Sequence, residues 1–314
     1  MLSSYDGRMN EGSVQSIAAD PAEAALCGEL ARGDAVLQSV DPVLRHLLMQ
    51  RGGALFADDV LARVKGMLAD MACQLLDAGQ LLDASGGEAA VSALAGRLAD
   101  VPGLLGHLHA QALEWQVAQR LQAQLGLDPV LSPLLQALVG STQPDVAALA
   151  MRLLAAQARF ARQISRMQWP LAELPGDLLH AVLAAWEAEG GATAAVREAY
   201  EEGHTRHALA ARLVTMMGAG ALAALLPGHA GVALFASAVA QGAQGARDLA
   251  VLAMQEGQKT RLALMLRAGG APPATVEDAL LALFGGSAED AELARVGAEK
   301  AARLLTSGAA TGAV

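Results

Sequence analysis

Apolar side chains recur along much of this chain at three- and four-residue intervals. From Val60 they return at Val64, Met67, Leu68, Met71 and Leu75, a spacing that places them on one face of a helix. Similar stretches are predicted at 88–99, 104–125, 177–188, 193–217, 231–240, 276–284 and 288–305, and further long helices start near Asp145 and Asp248. Asp20-Pro21, Asp41-Pro42 and Asp128-Pro129 each set a capping carboxylate before a proline suited to the first helical turn. Thr275 with Asp278 and Ser287 with Asp290 have capping-box spacing. Glycines such as Gly33, Gly52-Gly53, Gly79, Gly126, Gly140, Gly190-Gly191, Gly269-Gly270 and Gly285-Gly286 punctuate the ends. No stretch alternates as a half-buried strand does, so the predicted fold is all-α.

The pattern also repeats. Asp41–Leu48 (DPVLRHLL) recurs as Asp128–Leu135 (DPVLSPLL), identical at six of eight positions and 87 residues later; Asp145–Met151 is echoed at Asp248–Met254, five of seven matching. A short, long, short, long order of helices runs three times, which predicts an array of helical hairpins in three similar units at 20–127, 128–217 and 218–305 within one continuous domain. An irregular helical domain is the alternative. Residues 1–19 and 306–314 read as a mobile and a frayed tail. The layout is similar in style to HEAT-type helix-pair repeats and carries no diagnostic motif of theirs, so no residue role follows from the likeness.

Composition supports the helical reading. The 314 residues include 71 alanines, and only 3% are aromatic, a mixture that favours helices over sheets. The formal net charge of −10 argues against general nucleic-acid binding, which needs a basic surface. Cys27 and Cys73 form no metal-type spacing or disulfide framework, the N-terminus lacks the basic start and apolar run of a signal peptide, and the expected location is the cytoplasm. The abundance of Ala, Gly and Arg, with three lysines, points to a GC-rich bacterial source. Leu213–Ala240 is nearly free of charge, but Pro227-Gly228 and Gly231 cut it into pieces too short to span a bilayer, so no membrane span is expected.

Two constellations carry candidate chemistry. Between Asp145 and Glu173 the only charged side chains are Arg152, Arg159, Arg162 and Arg166. Three of them lie seven apart, forming a stripe on one helix face with Arg162 beside it, a surface that suits an acidic or phosphorylated protein partner. The structural alternative is that these arginines pair with acids of a neighbouring helix. The second constellation is Glu201, His204 and His207, three residues apart, which on a continuous helix would share one side and could hold a metal ion, with His180 or Glu198 as further ligands. A di-iron site would need a second Glu-x-x-His, and the chain has none. His107 and His109 point to different sides of a helix, one predicted to be packed and the other solvated. Asp58-Asp59 reads as helix capping, and Trp115, Trp169 and Trp186 as packing anchors. Nucleophile elbows, P-loops and dinucleotide fingerprints are absent, and no cofactor is expected. The sequence therefore predicts a protein-interaction scaffold or regulatory binding module, with a helical-bundle metalloenzyme at Glu201, His204 and His207 as the alternative.

Overall fold

Regular structure in the computed structural model, which describes residues 21–49, 59–78 and 87–311, is entirely helical; no strand occurs among the described residues. In chain order the α-helices are α1 (Pro21–Met49), α2 (Asp59–Ala78), α3 (Gly87–Leu98), α4 (Leu104–Leu125), α5 (Pro133–Val139), α6 (Pro144–Ser165), α7 (Gly176–Glu187), α8 (Ala194–Ala199) and α9 (Arg206–Met217). They continue with α10 (Pro227–Gly242), α11 (Arg247–Leu252), α12 (Lys259–Ala268), α13 (Pro273–Phe284), α14 (Asp290–Ala294) and α15 (Ala298–Thr311). Short 3-10 turns lie at 171–173, 202–204, 218–225 and 256–258. The expected N-terminal tail, the cap at Asp20, the glycines at 52, 53 and 79, and Asp58 lie outside the described residues. Helix α15 continues to Thr311, past the predicted end at Leu305.

Most predicted helices form where the pattern places them, α4 at its predicted bounds. The differences have local causes. Asp41-Pro42 does not start a helix: α1 runs through Pro42, although proline removes one ladder hydrogen bond. Contacts just after the proline anchor the helix there: Leu44 is buried and Arg45 reaches both the Ala99 carbonyl (Nη2 to O, 3.3 Å) and Asp100 (3.2 Å). Asp128 caps a turn, its Oδ1 accepting from the Val130 and Leu131 amides at 2.7 and 2.9 Å, and α5 begins after Ser132 instead. Thr275 lies inside α13, so it is no cap, whereas Ser287 donates its amide and its hydroxyl to the Asp290 carboxylate at 2.8 and 2.7 Å.

The predicted long helix over 193–217 breaks into α8, a 3-10 turn and α9. Thr205 caps α9 by accepting from the Ala208 amide (3.2 Å), and Glu173 Oε2 accepts from the Arg206 amide (2.8 Å), so two acceptors fix a new helix start after Gly203. The helix from Asp248 likewise stops at Leu252. Beyond it, buried Gln258 donates to the Gly33 carbonyl at 2.8 Å, pinning the break to α1. The stretch 288–305 divides into α14 and α15.

One continuous apolar core runs through the molecule, with a small second cluster of Leu30, Leu264, Ala301 and Leu304 joining α1, α12 and α15. Helix α4 is the hub, packed on α1, α2, α6, α10, α11 and α13. The first and last described helices meet, α1 against α15, a closure that an open stack of units does not make. The apolar stretch identified in the sequence supplies the most interior helix: every residue from Val232 to Ala240 of α10 is buried. Its entry is kinked at Gly231, whose φ of 70° suits glycine. Ser132 Oγ donates to the neighbouring Ala230 carbonyl at 2.7 Å. At the other end Gly242 meets Gly269, the C-cap of α12, backbone to backbone: a β-carbon on Gly242 would come within 2.8 Å of the Gly269 α-carbon. The segment Arg206–Leu225 is long and apolar enough to cross a membrane by length and composition alone, but it is divided into a helix and a 3-10 turn at Gly218.

Candidate functional site

Helix α6 starts at Pro144, with Asp145 in its first turn beside the partial positive charge of the helix N-terminus. Val146, Leu149, Ala150, Leu153, Ala156, Gln157, Phe160 and Ile164 form its buried side. Because the buried positions follow the helical period, the arginines are left on the opposite side. Arg152, Arg159, Arg162 and Arg166 are all exposed, and none forms an ion pair with any described residue. Elsewhere basic side chains do find carboxylates: Arg45 pairs with Asp100, Arg97 with Glu189, Arg197 with Glu187, Arg261 with Asp34, and Lys300 with Glu23. Pairing of the α6 arginines with a neighbouring helix, the structural alternative, therefore does not occur among the described residues. Consecutive members of the seven-residue set are about 10 Å apart along the axis.

Glu201, His204 and His207 are not gathered into a metal site. Glu201 and His204 are exposed and bond to each other (Oε2 to Nδ1, 2.5 Å), while His207 stands beyond the Thr205 cap and turns toward the interior. The break in the predicted helix is the physical reason, since three-residue spacing aligns side chains only on an unbroken helix. His180 contacts Arg197 (Nδ1 to Nη1, 3.4 Å), and Glu198 is exposed. No group of three or more His, Cys, Asp or Glu positioned to hold a metal occurs among the described residues. Arg159, Glu173, Glu201 and His204 instead line an open groove of about 370 Å³ at the edge of the arginine face.

Sequence reasoning missed a buried polar network at the hub. His107, Gln111 and Glu114 lie at i, i+4 and i+7 of α4, in the midst of an apolar helix. Arg206 of α9 donates to both Glu114 oxygens (Nη1 to Oε1, 2.5 Å; Nη2 to Oε2, 2.9 Å), and both side chains are 1% exposed. Arg247 of α11 grips the same carboxylate at 2.8 and 3.0 Å and receives support from Ser237 (3.2 Å). The Arg206 guanidinium stacks on Phe160, 3.8 Å above the ring. Burial by itself would raise the Glu114 carboxyl pKa; the Arg206 and Arg247 charges outweigh it and hold the group far below the usual carboxylate range.

His207 Nε2 takes hydrogen bonds from Arg206 Nη2 and Arg247 Nη1, each at 2.9 Å. A guanidinium can only donate, so Nε2 carries the lone pair and the ring is neutral. Burial, then the charges of Arg247 and Arg206, push its pKa well below the usual histidine value. His107, 2% exposed, completes the set through Nδ1 and Asp248 Oδ2 at 2.8 Å, with Trp169 and His207 edge-on to its ring. His109 is half-buried. All three tryptophans are buried, and Trp115 and Trp169 both meet Phe160 edge to face. The network joins α4, α6, α9, α10 and α11. Every Glu114 oxygen is already held by guanidinium donors, which makes the cluster a structural clamp. The readable signal was the helical spacing of His107, Gln111 and Glu114; the partners Arg206 and Arg247 lie far away in sequence.

Comparison of the chain with protein-family models, with curated proteins and with solved structures returns no match.

Proposed function

We propose that the protein is a helical binding module of a reducing cytosol, docking a protein partner with an acidic or phosphorylated surface through Arg152, Arg159, Arg162 and Arg166. The observation that carries this reading is that all four guanidiniums are exposed and free of ion pairs among the described residues, in a protein of net charge −10 in which nine other basic side chains pair with carboxylates. Unpaired arginines on a rigid helix offer planar donors matched to carboxylate or phosphate oxygens. Charge complementarity of this kind steers association and makes it sensitive to salt.

The test is capture of partners from native cytosol by the wild type and by a variant carrying Arg152→Glu, Arg159→Glu and Arg166→Glu, with circular dichroism confirming that the variant is folded. Salt-sensitive retention of an acidic or phosphorylated protein by the wild type, lost in the variant, is the expected result. Equal retention by both proteins would remove the arginine face from the function.

A further inference from the structure

We infer that the partner segment received by this face is an acidic α-helix, laid along α6 with carboxylates seven residues apart. The inference rests on the binding reading above and specifies its partner. The exposed side of α6 has two parallel strips. At about 100° per residue, Arg152, Arg159 and Arg166 fall along one edge; Met151, Ala155 and Ala158 lie beside them in a second strip that ends at Arg162. All seven are exposed, Met151 at 52%. Met151, Ala155 and Ala158 follow the four-then-three step of a helix–helix seam.

The two strips have complementary uses. Alanine methyls are short, so a partner helix can approach toward the close end of the usual range of about 8–10 Å between axes. At that distance the arginines bordering the seam reach over the partner's flank. The backbone positions of Arg152, Arg159 and the C-cap Arg166 follow one another about 10 Å apart along the axis of α6, the same rise that separates residues seven apart on another helix. A helix with one carboxylate per heptad would therefore meet Arg152, Arg159 and Arg166 in register, while its apolar seam covers Met151 and the alanines. A phosphorylated loop would use the charges and leave the alanine strip open.

Two synthetic three-heptad peptides of identical composition test the idea, one with Glu every seventh position beside an Ala/Leu seam, the other scrambled. Binding to the full chain is read by fluorescence anisotropy at low ionic strength. The in-register peptide is expected to bind about tenfold more tightly than the scrambled one. That preference should vanish in Ala155→Gln/Ala158→Gln, which keeps all four arginines and changes only exposed positions. Equal affinity for both peptides, or a preference that survives in this variant, overturns the helical partner and leaves an acidic partner standing. An extended phosphoserine peptide of equal net charge that binds as tightly as the in-register helix also overturns it. Failure of every acidic probe to bind overturns both readings.

Discussion

Replacing Glu114 with Gln keeps the shape of the side chain at the hub and removes its charge. Wild-type Glu114 is the shared acceptor of two guanidiniums, Arg206 at 1% exposure and Arg247 at 12%. Arg247 has a route to solvent and stands next in sequence to Asp248, so it can be partly compensated. Arg206 has no such route: its remaining neighbours are Gln111, Gln157, the neutral His207 ring and the face of Phe160. Removing one partner of a buried pair costs about 3–5 kcal/mol, because the other charge is left uncompensated. With Arg247 free to relax, Glu114→Gln should lie near the lower end, about 3 kcal/mol, against a total stability of roughly 5–15 kcal/mol for a folded domain.

The same reasoning demands a non-additive pair. In Glu114→Leu/Arg206→Met both buried charges of the pair are gone, so the double variant should be more stable than the sum of its single variants implies. Urea unfolding followed by circular dichroism, with the slope checked for constancy, measures each step. A loss below about 1 kcal/mol for Glu114→Gln, the level of a single ordinary hydrogen bond, would refute the clamp. Strict additivity in the double variant would refute it equally.

His207 gives the protein a pH dependence of known sign. Its folded pKa lies below the ordinary 6.5, so the unfolded chain takes up the proton first. Its contribution is complete above about pH 6.5 and falls by about 1.4 kcal/mol per pH unit below it until the folded pKa is reached; a urea-unfolding series across pH should show this slope, and His207→Gln should flatten it. The depressed Glu114 carboxyl adds a second loss beginning below its ordinary 4.5, so steepening there should lessen in Glu114→Gln. Gly242→Ala forces α10 and α12 apart at their backbone contact and should cost about 1–3 kcal/mol, seen as a lower thermal midpoint. Glutamine at Arg152, Arg159 or Arg162, singly, should leave stability within about 0.5 kcal/mol of wild type in the same thermal scan, because none of these side chains supports the core.

Whatever local physics controls could be read directly from the order of the residues. Apolar spacing and alanine content dictated an all-α chain. The period of the buried positions on α6 dictated that Arg152, Arg159, Arg162 and Arg166 share an outer face. Gly231 marked a kink before the chain formed one. Tertiary structure decided what depends on contacts between distant residues. Pro42 reads as a helix start until Leu44 and Arg45 anchor α1 across it. The stretch around Glu201, His204 and His207 reads as one helix face until Glu173 and Thr205 cap a new start there. Glu114 lies 92 residues from Arg206 and 133 from Arg247, and no local pattern could pair them. Helical periodicity is a nearest-neighbour property written every three or four residues, whereas a buried charge declares its partner only when the chain has closed around it.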